Sequence, residues 1–248
     1  MQDASSEVTF VITSCGRPEL LARTLDSFLK NNDAPIARYV LVEDSARPDV
    51  HGYIRERYGH VFDHLLFNEQ NIGQISSIDR AYALVDTPYL FHCEDDFEFL
   101  RPGFIQESLS VLRHEPEAIS VWLRHLWDCN KHKFSERIQY TPDGAMYRHV
   151  LPKIKRNASW YGFTFNPGLR RTADYRRVAP FSEIGHELEI NYRYHELGYH
   201  GVVLEEGAAQ HVGAGHHVGD SREPWTRRLR LAIRGRRHRR RERKRGDS

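Results

Sequence analysis

The chain has 248 residues, of which 40% are hydrophobic and 11% aromatic, so it is large and apolar enough to bury one substantial core. Its formal net charge is +2, but residues 226–248 contain twelve of the 36 Lys and Arg and only two of the 34 acidic residues, which leaves −8 for the rest of the chain. An acidic body argues against a nucleic-acid-binding domain, whose groove needs clustered cations.

The number of cysteines and the lengths of the apolar runs indicate which cellular compartment to expect. The three cysteines, Cys15, Cys93 and Cys129, are too few and too widely spaced for a disulfide framework or a Cys-x-x-Cys metal site. Residues 1–7 show no basic segment followed by an apolar core, and no run of about 18 apolar residues occurs. We therefore expect a cytoplasmic protein without a signal peptide or a membrane span.

The first half of the chain alternates between strand-like and helix-like patterns. Apolar and β-branched runs predict strands at residues 8–13, 39–42, 64–67, 88–93 and 118–123. Helical spacing predicts helices at residues 18–29, 53–58, 74–85 and 102–113. This alternation predicts an α/β fold with a mostly parallel central sheet. It weakens after about residue 127, where a helix at 186–197 and a strand at 201–204 are predicted.

Polar clusters directly follow three of the predicted strands, at residues 13–17, 43–45 and 94–96. Because ligands bind beyond the carboxyl ends of parallel strands, we expect these clusters to meet at one rim of the sheet. The acids Glu94, Asp95 and Asp96 repel one another unless a cation lies between them, and oxygen ligands suit Mg²⁺ or Mn²⁺. A divalent ion bridging to a diphosphate is the expected partner, although acidic runs are also common on solvated surfaces.

The order of these segments resembles that of the family 2 glycosyltransferases, which share the Rossmann-like GT-A fold. Residues 8–17, 40–45, 71–73 and 91–96 look like that family's opening strand, acidic second-strand motif, Asn-x-Gly loop and Asp-x-Asp motif. The resemblance covers roughly residues 8–218. It implies an inverting, metal-dependent enzyme that moves a sugar from a nucleotide sugar, with UDP favoured, to a hydroxyl of a glycan or glycolipid.

The same resemblance assigns roles to individual residues. The residues implied in donor binding are Thr13, Arg17, Asp44, Gly73, Glu94 and Asp95. The residues implied in binding Mn²⁺ or Mg²⁺ are Asp96, Glu94 and His211. Glu94 stands where the family usually has its first Asp. The resemblance therefore leaves open which of the three acids binds the metal and which binds the donor. His211 follows the last predicted strand. The alternative to metal binding is that His211 is an ordinary surface residue.

The second half supplies a candidate general base. Family members carry an acidic pair six or seven residues before an Arg that lies five residues before Gly-Tyr, and Arg193 lies five before Gly198-Tyr199. Counting back places Glu187 at the Asp of that pair, where a carboxylate would take the proton of the acceptor hydroxyl. Glu183 and Glu189 are close enough in sequence to serve instead. The alternative is that these acids form the solvent face of a helix.

An aromatic segment precedes that helix. Residues 160–167 resemble the acceptor-side strand of the same fold, and the ring of Trp160 could stack on a sugar of the acceptor. The alternative is that the cluster belongs to the core.

These inferences predict one catalytic domain at residues 1–225, with a donor half at about 1–125 and an acceptor half at about 126–225. Residues 226–248 form a basic tail, either disordered or a short amphipathic helix that contacts an anionic membrane. Two other functions fit parts of the sequence: a GT-A-like nucleotidyltransferase with the same metal chemistry, and a protein that binds polyanions through its basic tail.

Overall fold

The structure is a computed structural model that describes residues 6–129, 131–155 and 158–213, so the basic tail at 226–248 lies outside the described residues. The strands are β1 (Val8–Ser14), β2 (Arg38–Glu43), β3 (His64–Phe67), β4 (Tyr89–Glu94), β5 (Phe97–Phe99), β6 (Ala118–Trp122), β7 (Gln139–Tyr140), β8 (Met146–His149), β9 (Lys153–Ile154), β10 (Ser159–Trp160), β11 (Gly168–Arg171), β12 (His200–Leu204) and β13 (Ala209–His211). The helices are α1 (Pro18–Asn31), α2 (Pro48–Tyr58), α3 (Gln74–Tyr82), α4 (Phe104–His114), α5 (Thr172–Arg176), α6 (Phe181–Ile184) and α7 (Glu187–Glu196), with a 3₁₀ turn at Leu126–Asp128.

The predicted α/β fold is confirmed. Nine strands form one sheet in the order β3-β2-β1-β4-β11-β6-β12-β8-β7. The pairs β1·β2, β1·β4, β2·β3 and β6·β12 are parallel, as the alternation of strands and helices predicts. Helices cover both faces, and among the described residues no helix is long and apolar enough to span a bilayer.

The sheet is held by two apolar layers, one on each face. On one face an aromatic cluster forms around Phe28 of α1, whose ring centroid lies 4.1 Å from that of Phe10 on β1. Phe91 and Phe104 pack within 6.0 Å of the same ring. On the other face, Phe163, Phe181 and other aromatic residues pack against α3 and α7. Because β1 and most of β4 are buried, their carboxyl ends are fixed in place.

The predicted boundaries differ from the observed ones at the ends of helices. The helix expected at 102–113 begins at Phe104, because Gly103 adopts a left-handed conformation (φ = 83°) just before it. The helix expected to reach residue 85 ends at Tyr82. The prediction of an acceptor-side strand at 160–167 is also wrong in its extent, because only Ser159–Trp160 form a strand there.

Two strand pairings in the second half have no counterpart in the sequence prediction. Strand β11 inserts between β4 and β6 and runs antiparallel to both. Strand β13 pairs antiparallel with the short strand β5, so that His211 lies opposite Phe97. This second pairing carries the end of the described chain back to the carboxyl end of β4.

Candidate active site

The three predicted polar clusters do meet at one rim of the sheet. Register pairs Ser14 at the end of β1 with Glu43 at the end of β2, and Thr13 with Glu94 at the end of β4. The side chains that follow these strands are therefore neighbours.

Asp95 lies at the centre of this rim and is only 1% exposed. Its Oδ2 accepts hydrogen bonds from the Ser14 hydroxyl (2.9 Å), the Arg17 Nε–H (3.2 Å) and the Cys15 backbone N–H (3.4 Å). A second Arg17 N–H donates to Asp95 Oδ1. Burial raises the pKa of Asp95 to about 6, against the lowering effect of Arg17. Asp95 therefore holds Arg17 in position and is not itself open to solvent.

Asp96 faces both a guanidinium and an imidazole. Its Oδ2 lies 3.0 Å from Nη1 of Arg17 and 3.5 Å from Nε2 of His211. Burial by itself raises the pKa of Asp96, but the hydrogen bond from His211 and the charge of Arg17 outweigh it and hold the pKa below its ordinary value. Asp95 and Asp96 are buried and do not form a solvated acidic run, because Ser14 and Arg17 satisfy them within the protein.

Backbone contacts fix His211 beside Asp96. The Val212 N–H donates to the Asp96 carbonyl oxygen at 2.8 Å, and the His211 N–H donates to Asp128 Oδ2 at 3.1 Å. The ring of His211 packs on Phe97 with centroids 5.2 Å apart. A Cβ added at Gly213 would lie 2.6 Å from Asp96 Oδ2, so a glycine is required for this close approach.

Glu94 adds a further carboxylate to the rim. It is half-buried, and its Oε1 accepts a hydrogen bond of 2.6 Å from the Gln74 side chain at the start of α3. Burial and the charges of Asp96, Glu187 and Asp95 raise the pKa of Glu94 well above its ordinary value. Asp96 and Glu187 therefore lie close enough to Glu94 to repel its charge. Such repulsion is relieved by a cation.

Glu187 reaches the same rim from α7. It is the first residue of that helix, and its Oε1 accepts a hydrogen bond of 2.8 Å from the Phe165 N–H. Burial raises the pKa of Glu187, while hydrogen bonds from the Thr164 side chain and the Phe165 backbone partly offset the effect. The helix and these two donors orient the carboxylate.

The two alternative acids are placed differently. Glu183 is exposed on α6. Glu189 closes the amino-terminal turn of α7, where its Oε2 accepts the His186 N–H at 3.0 Å in a capping box. The charge of Glu187 is one of those that raise the pKa of Glu94.

Asp44 shapes the loop after β3. Its Oδ1 accepts the Ile72 N–H and its Oδ2 the Gly73 N–H, both at 2.8 Å, while Asn68 donates to Oδ1 at 2.7 Å. Gly73, at φ = 89°, is the N-cap of α3. Asp44 thus positions the loop that begins α3.

Glu43 is a site residue that the sequence argument missed. It is fully buried, and its Oε1 accepts the N–H groups of Gly16 and Ser45, both at 2.8 Å. It therefore ties the loop after β1 to the loop after β2. The sequence feature that could have identified Glu43 is its position beside Asp44 at the end of a predicted strand.

The two remaining predicted site residues are Thr13 and Trp160. Thr13 is 8% exposed and sits in β1 between Val42 and Glu94. Trp160 lies half-buried on β10, and its indole N–H donates to the Phe163 carbonyl oxygen at 2.8 Å. Trp160 is therefore partly accessible to solvent.

The chemistry of this rim fits a hard or borderline divalent cation. Asp96 supplies an ionised oxygen ligand and His211 an imidazole, and their side-chain atoms already converge. A cation bound between them would also relieve the repulsion among Glu94, Asp96 and Glu187. These residues are thus suited to hold Mn²⁺ or Mg²⁺.

Comparisons with known proteins agree with this architecture. The model of the family described as "Glycosyl transferase family 2" matches residues 9–176. No curated protein sequence matches the chain.

Several solved structures share the fold. A mannosyltransferase, PcManGT from Pyrobaculum calidifontis in complex with GDP-Man and Mn²⁺, has a TM-score of 0.61 at 11% identity, over 86% of this chain and 59% of that one. GalNAc-T7 with UDP, GalNAc and Mn²⁺ has a TM-score of 0.56 at 12% identity, over 85% and 44%. S. aureus TarS 1-349 has a TM-score of 0.56 at 13% identity, over 84% and 60%. The chain therefore spans about half of the length of these solved chains.

Proposed function

Because the chain belongs to glycosyl transferase family 2 and has the GT-A fold, we propose that it transfers a sugar from a nucleotide-sugar donor to a hydroxyl group of an acceptor, with inversion at the anomeric carbon. One observation carries the proposal. Asp96, which follows β4, lies 3.5 Å from His211 of β13 at the rim, and Glu187 of α7 is near enough for its charge to raise the pKa of Glu94. This arrangement combines a place for a diphosphate-bound cation with a carboxylate that can act as a base.

The donor side of the site is built on Arg17 and the acids after β4. When bound, Mn²⁺ or Mg²⁺ would neutralise the diphosphate of the donor and stabilise it as the leaving group. Asp96 and His211 would hold the ion, with Glu94 as a further oxygen ligand or a contact to the ribose. Arg17 positions Asp96 by binding Asp95 and Asp96 at once.

The nucleoside side of the donor would lie against the loops that Asp44 organises. Thr13, Asp44, Gly73 and Asp95 line or support these loops at the ends of β1 and β2. UDP is the favoured nucleotide, in line with the family resemblance and with the UDP complex of GalNAc-T7. PcManGT carries GDP-Man, so the base is the first specificity to test.

The acceptor side of the site is built around Glu187. Its carboxylate would take the proton of the acceptor hydroxyl as the acceptor oxygen forms a bond to the anomeric carbon. The bond from that carbon to the diphosphate oxygen breaks on the opposite face, so the product anomer is inverted. Trp160 would stack on the apolar face of a sugar in a glycan or glycolipid acceptor.

The experiment that tests the proposal is a panel of UDP-, GDP-, TDP- and CMP-sugars with the full chain, each with and without Mn²⁺. Binding to the native state raises the melting temperature, and release of nucleoside diphosphate with glycoside formation reports turnover. Glu187→Gln should abolish most turnover and keep the donor-induced shift, whereas the matched control Glu183→Gln should keep both. With pyrophosphate supplied, formation of a nucleoside triphosphate and sugar 1-phosphate instead of nucleoside diphosphate and glycoside would identify a nucleotidyltransferase and overturn the proposal.

We also propose a peripheral contact between residues 226–248 and an anionic membrane, on the strength of the sequence alone. Each basic residue near such a surface contributes on the order of 1 kcal/mol, and the contact weakens at high salt. Removing residues 226–248 should abolish sedimentation with anionic liposomes at low salt and leave donor binding intact. Failure of the full chain to sediment with those liposomes would reject the contact.

A further inference from the structure

Three side chains that commonly bind metals meet at the edge of the sheet opposite to the candidate active site. Glu115 directly follows α4, His149 ends β8 and His200 begins β12. One ligand atom from each lies within 4.8 Å of the others. Strands β12 and β6 run parallel, so this edge and the rim of Asp96 are separated by roughly the length of a five-residue strand, about 16 Å at about 3.3 Å per residue.

The two imidazoles converge on the same carboxylate oxygen. Nε2 of His200 lies 2.6 Å from Glu115 Oε1, and Nε2 of His149 lies 2.8 Å from the same atom. His200 makes a hydrogen bond there. The Nε2 atom of His149 is buried and has no hydrogen-bond partner among the described residues. This nitrogen and Glu115 Oε1 form an ion pair when His149 is protonated; when His149 is neutral, a cation held by the three side chains would supply the partner that this nitrogen lacks.

The surroundings orient these ligands. The Tyr147 hydroxyl donates to Glu115 Oε2, so the other carboxylate oxygen is the one presented to the two histidines. Arg171 donates to the Glu115 carbonyl oxygen at 2.8 Å and holds the turn after α4. The register between β12 and β6 shifts between His200 and Gly201. Such bulges redirect a side chain and are frequent beside functional sites.

We propose that Glu115, His149 and His200 form a second metal site that binds Zn²⁺ through three protein ligands and one solvent molecule. Two imidazoles and one carboxylate suit Zn²⁺, whereas Mg²⁺ prefers oxygen ligands only. The Tyr147 hydroxyl supplies the outer hydrogen bond that ligating carboxylates usually receive. The side chains of His149 and His200 are 38% and 32% exposed, so an ion reaches the site from solvent.

The test is a calorimetric titration of the full chain with ZnSO₄ after treatment with a chelator, with His211→Ala titrated in parallel to show any Zn²⁺ that binds at the rim. We expect one Zn²⁺ equivalent whose affinity falls at least about tenfold in His149→Ala and in His200→Ala. The matched control is His114→Ala, because His114 is exposed and adjacent to Glu115 but is not part of the cluster. It should bind Zn²⁺ as the unchanged protein does.

Two further measurements keep the result decisive if a histidine variant folds poorly. Tyr147→Phe preserves the buried ring and should weaken Zn²⁺ about tenfold to a hundredfold, because the carboxylate loses its outer hydrogen bond. Anomalous scattering from crystals of the unchanged protein with Zn²⁺ should place an ion about 2.0–2.2 Å from the three ligand atoms. Zn²⁺ affinity that is unaffected by these substitutions but is lost in His211→Ala, or an anomalous map without a peak at the cluster, overturns the proposal.

Discussion

The Nε2 atom of His211 lies 3.5 Å from Oδ2 of Asp96, on the same side of the rim as Arg17. This contact exists because β13 pairs with β5 and sets His211 opposite Phe97. It joins the last described strand to the acids that follow β4.

Asp96→Asn should remove Mn²⁺-dependent stabilisation by nucleoside diphosphate and abolish turnover, since an amide is a weak ligand for a divalent ion. His211→Ala should weaken Mn²⁺ less severely. Thermal melts with and without Mn²⁺ measure both effects. Asp86→Asn is the control, because Asp86 is exposed and forms an ion pair with Arg38 far from the rim. Retention of the Mn²⁺ shift in Asp96→Asn would refute the metal assignment.

Gly213→Ala should lower Mn²⁺ affinity without removing any ligand. The added Cβ would lie 2.6 Å from Asp96 Oδ2, so the carboxylate must move. Gly144→Ala is a useful comparison, because a Cβ there meets no atom within 4 Å, although Gly144, unlike Gly213, has a positive φ (88°). Equal Mn²⁺ affinity in Gly213→Ala and the unchanged protein would show that Asp96 is not held as described.

Arg17→Lys should weaken Mn²⁺ and donor binding by about tenfold or more, because a single ammonium cannot bridge two carboxylates as a guanidinium does. Calorimetry with UDP and Mn²⁺ checks this expectation. Arg57→Lys is the control, since Arg57 makes a half-exposed ion pair with Asp26 on the outer helices. Similar losses in the two variants would point to a general loss of stability.

Glu187→Gln should lower turnover by about a hundredfold to ten-thousandfold, as loss of a general base does, while the Phe165 N–H keeps an oxygen acceptor.

The pH dependence of turnover should also reflect the protonation of Glu187. A general base works only when it is deprotonated, and burial raises the pKa of Glu187 above its ordinary value of 4.5. Turnover should therefore fall as the pH drops through that raised pKa, at a higher pH than for an ordinary glutamate. A profile of kcat against pH measures the midpoint. An unchanged acid limb in Glu187→Gln would assign the base elsewhere.

Asp44→Ala should destabilise the protein by about 1–3 kcal/mol, because the N–H groups of Ile72 and Gly73 lose their acceptor. Chemical denaturation measures this change. Donor affinity should fall as well, since the loop at 71–73 loses its support. Wild-type donor affinity in a folded Asp44→Ala protein would place the nucleoside away from this loop.

Local sequence patterns located the main strands and helices of the first half of the fold, but not the short strand β5 or the ends of the helices. Strand and helix periods are set by neighbouring residues, so the buried strand at 89–94 and the acids that follow it could be located without a structure. Because parallel strands present their carboxyl ends at one rim, the meeting of Arg17, Asp44 and Asp96 could be predicted as well.

Only the tertiary structure decided which distant residues join that rim. The antiparallel insertion of β11 and the pairing of β13 with β5 link segments far apart in the chain, and no local period encodes such pairings. Counting back from Arg193 in the sequence put Glu187 first and left Glu183 and Glu189 as alternatives. Helix capping occupies Glu189 and solvent surrounds Glu183, whereas packing of α7 against residues 164–165 brings Glu187 within reach of the charge on Glu94. The placement of each of these carboxylates depends on long-range packing, which local sequence patterns do not encode.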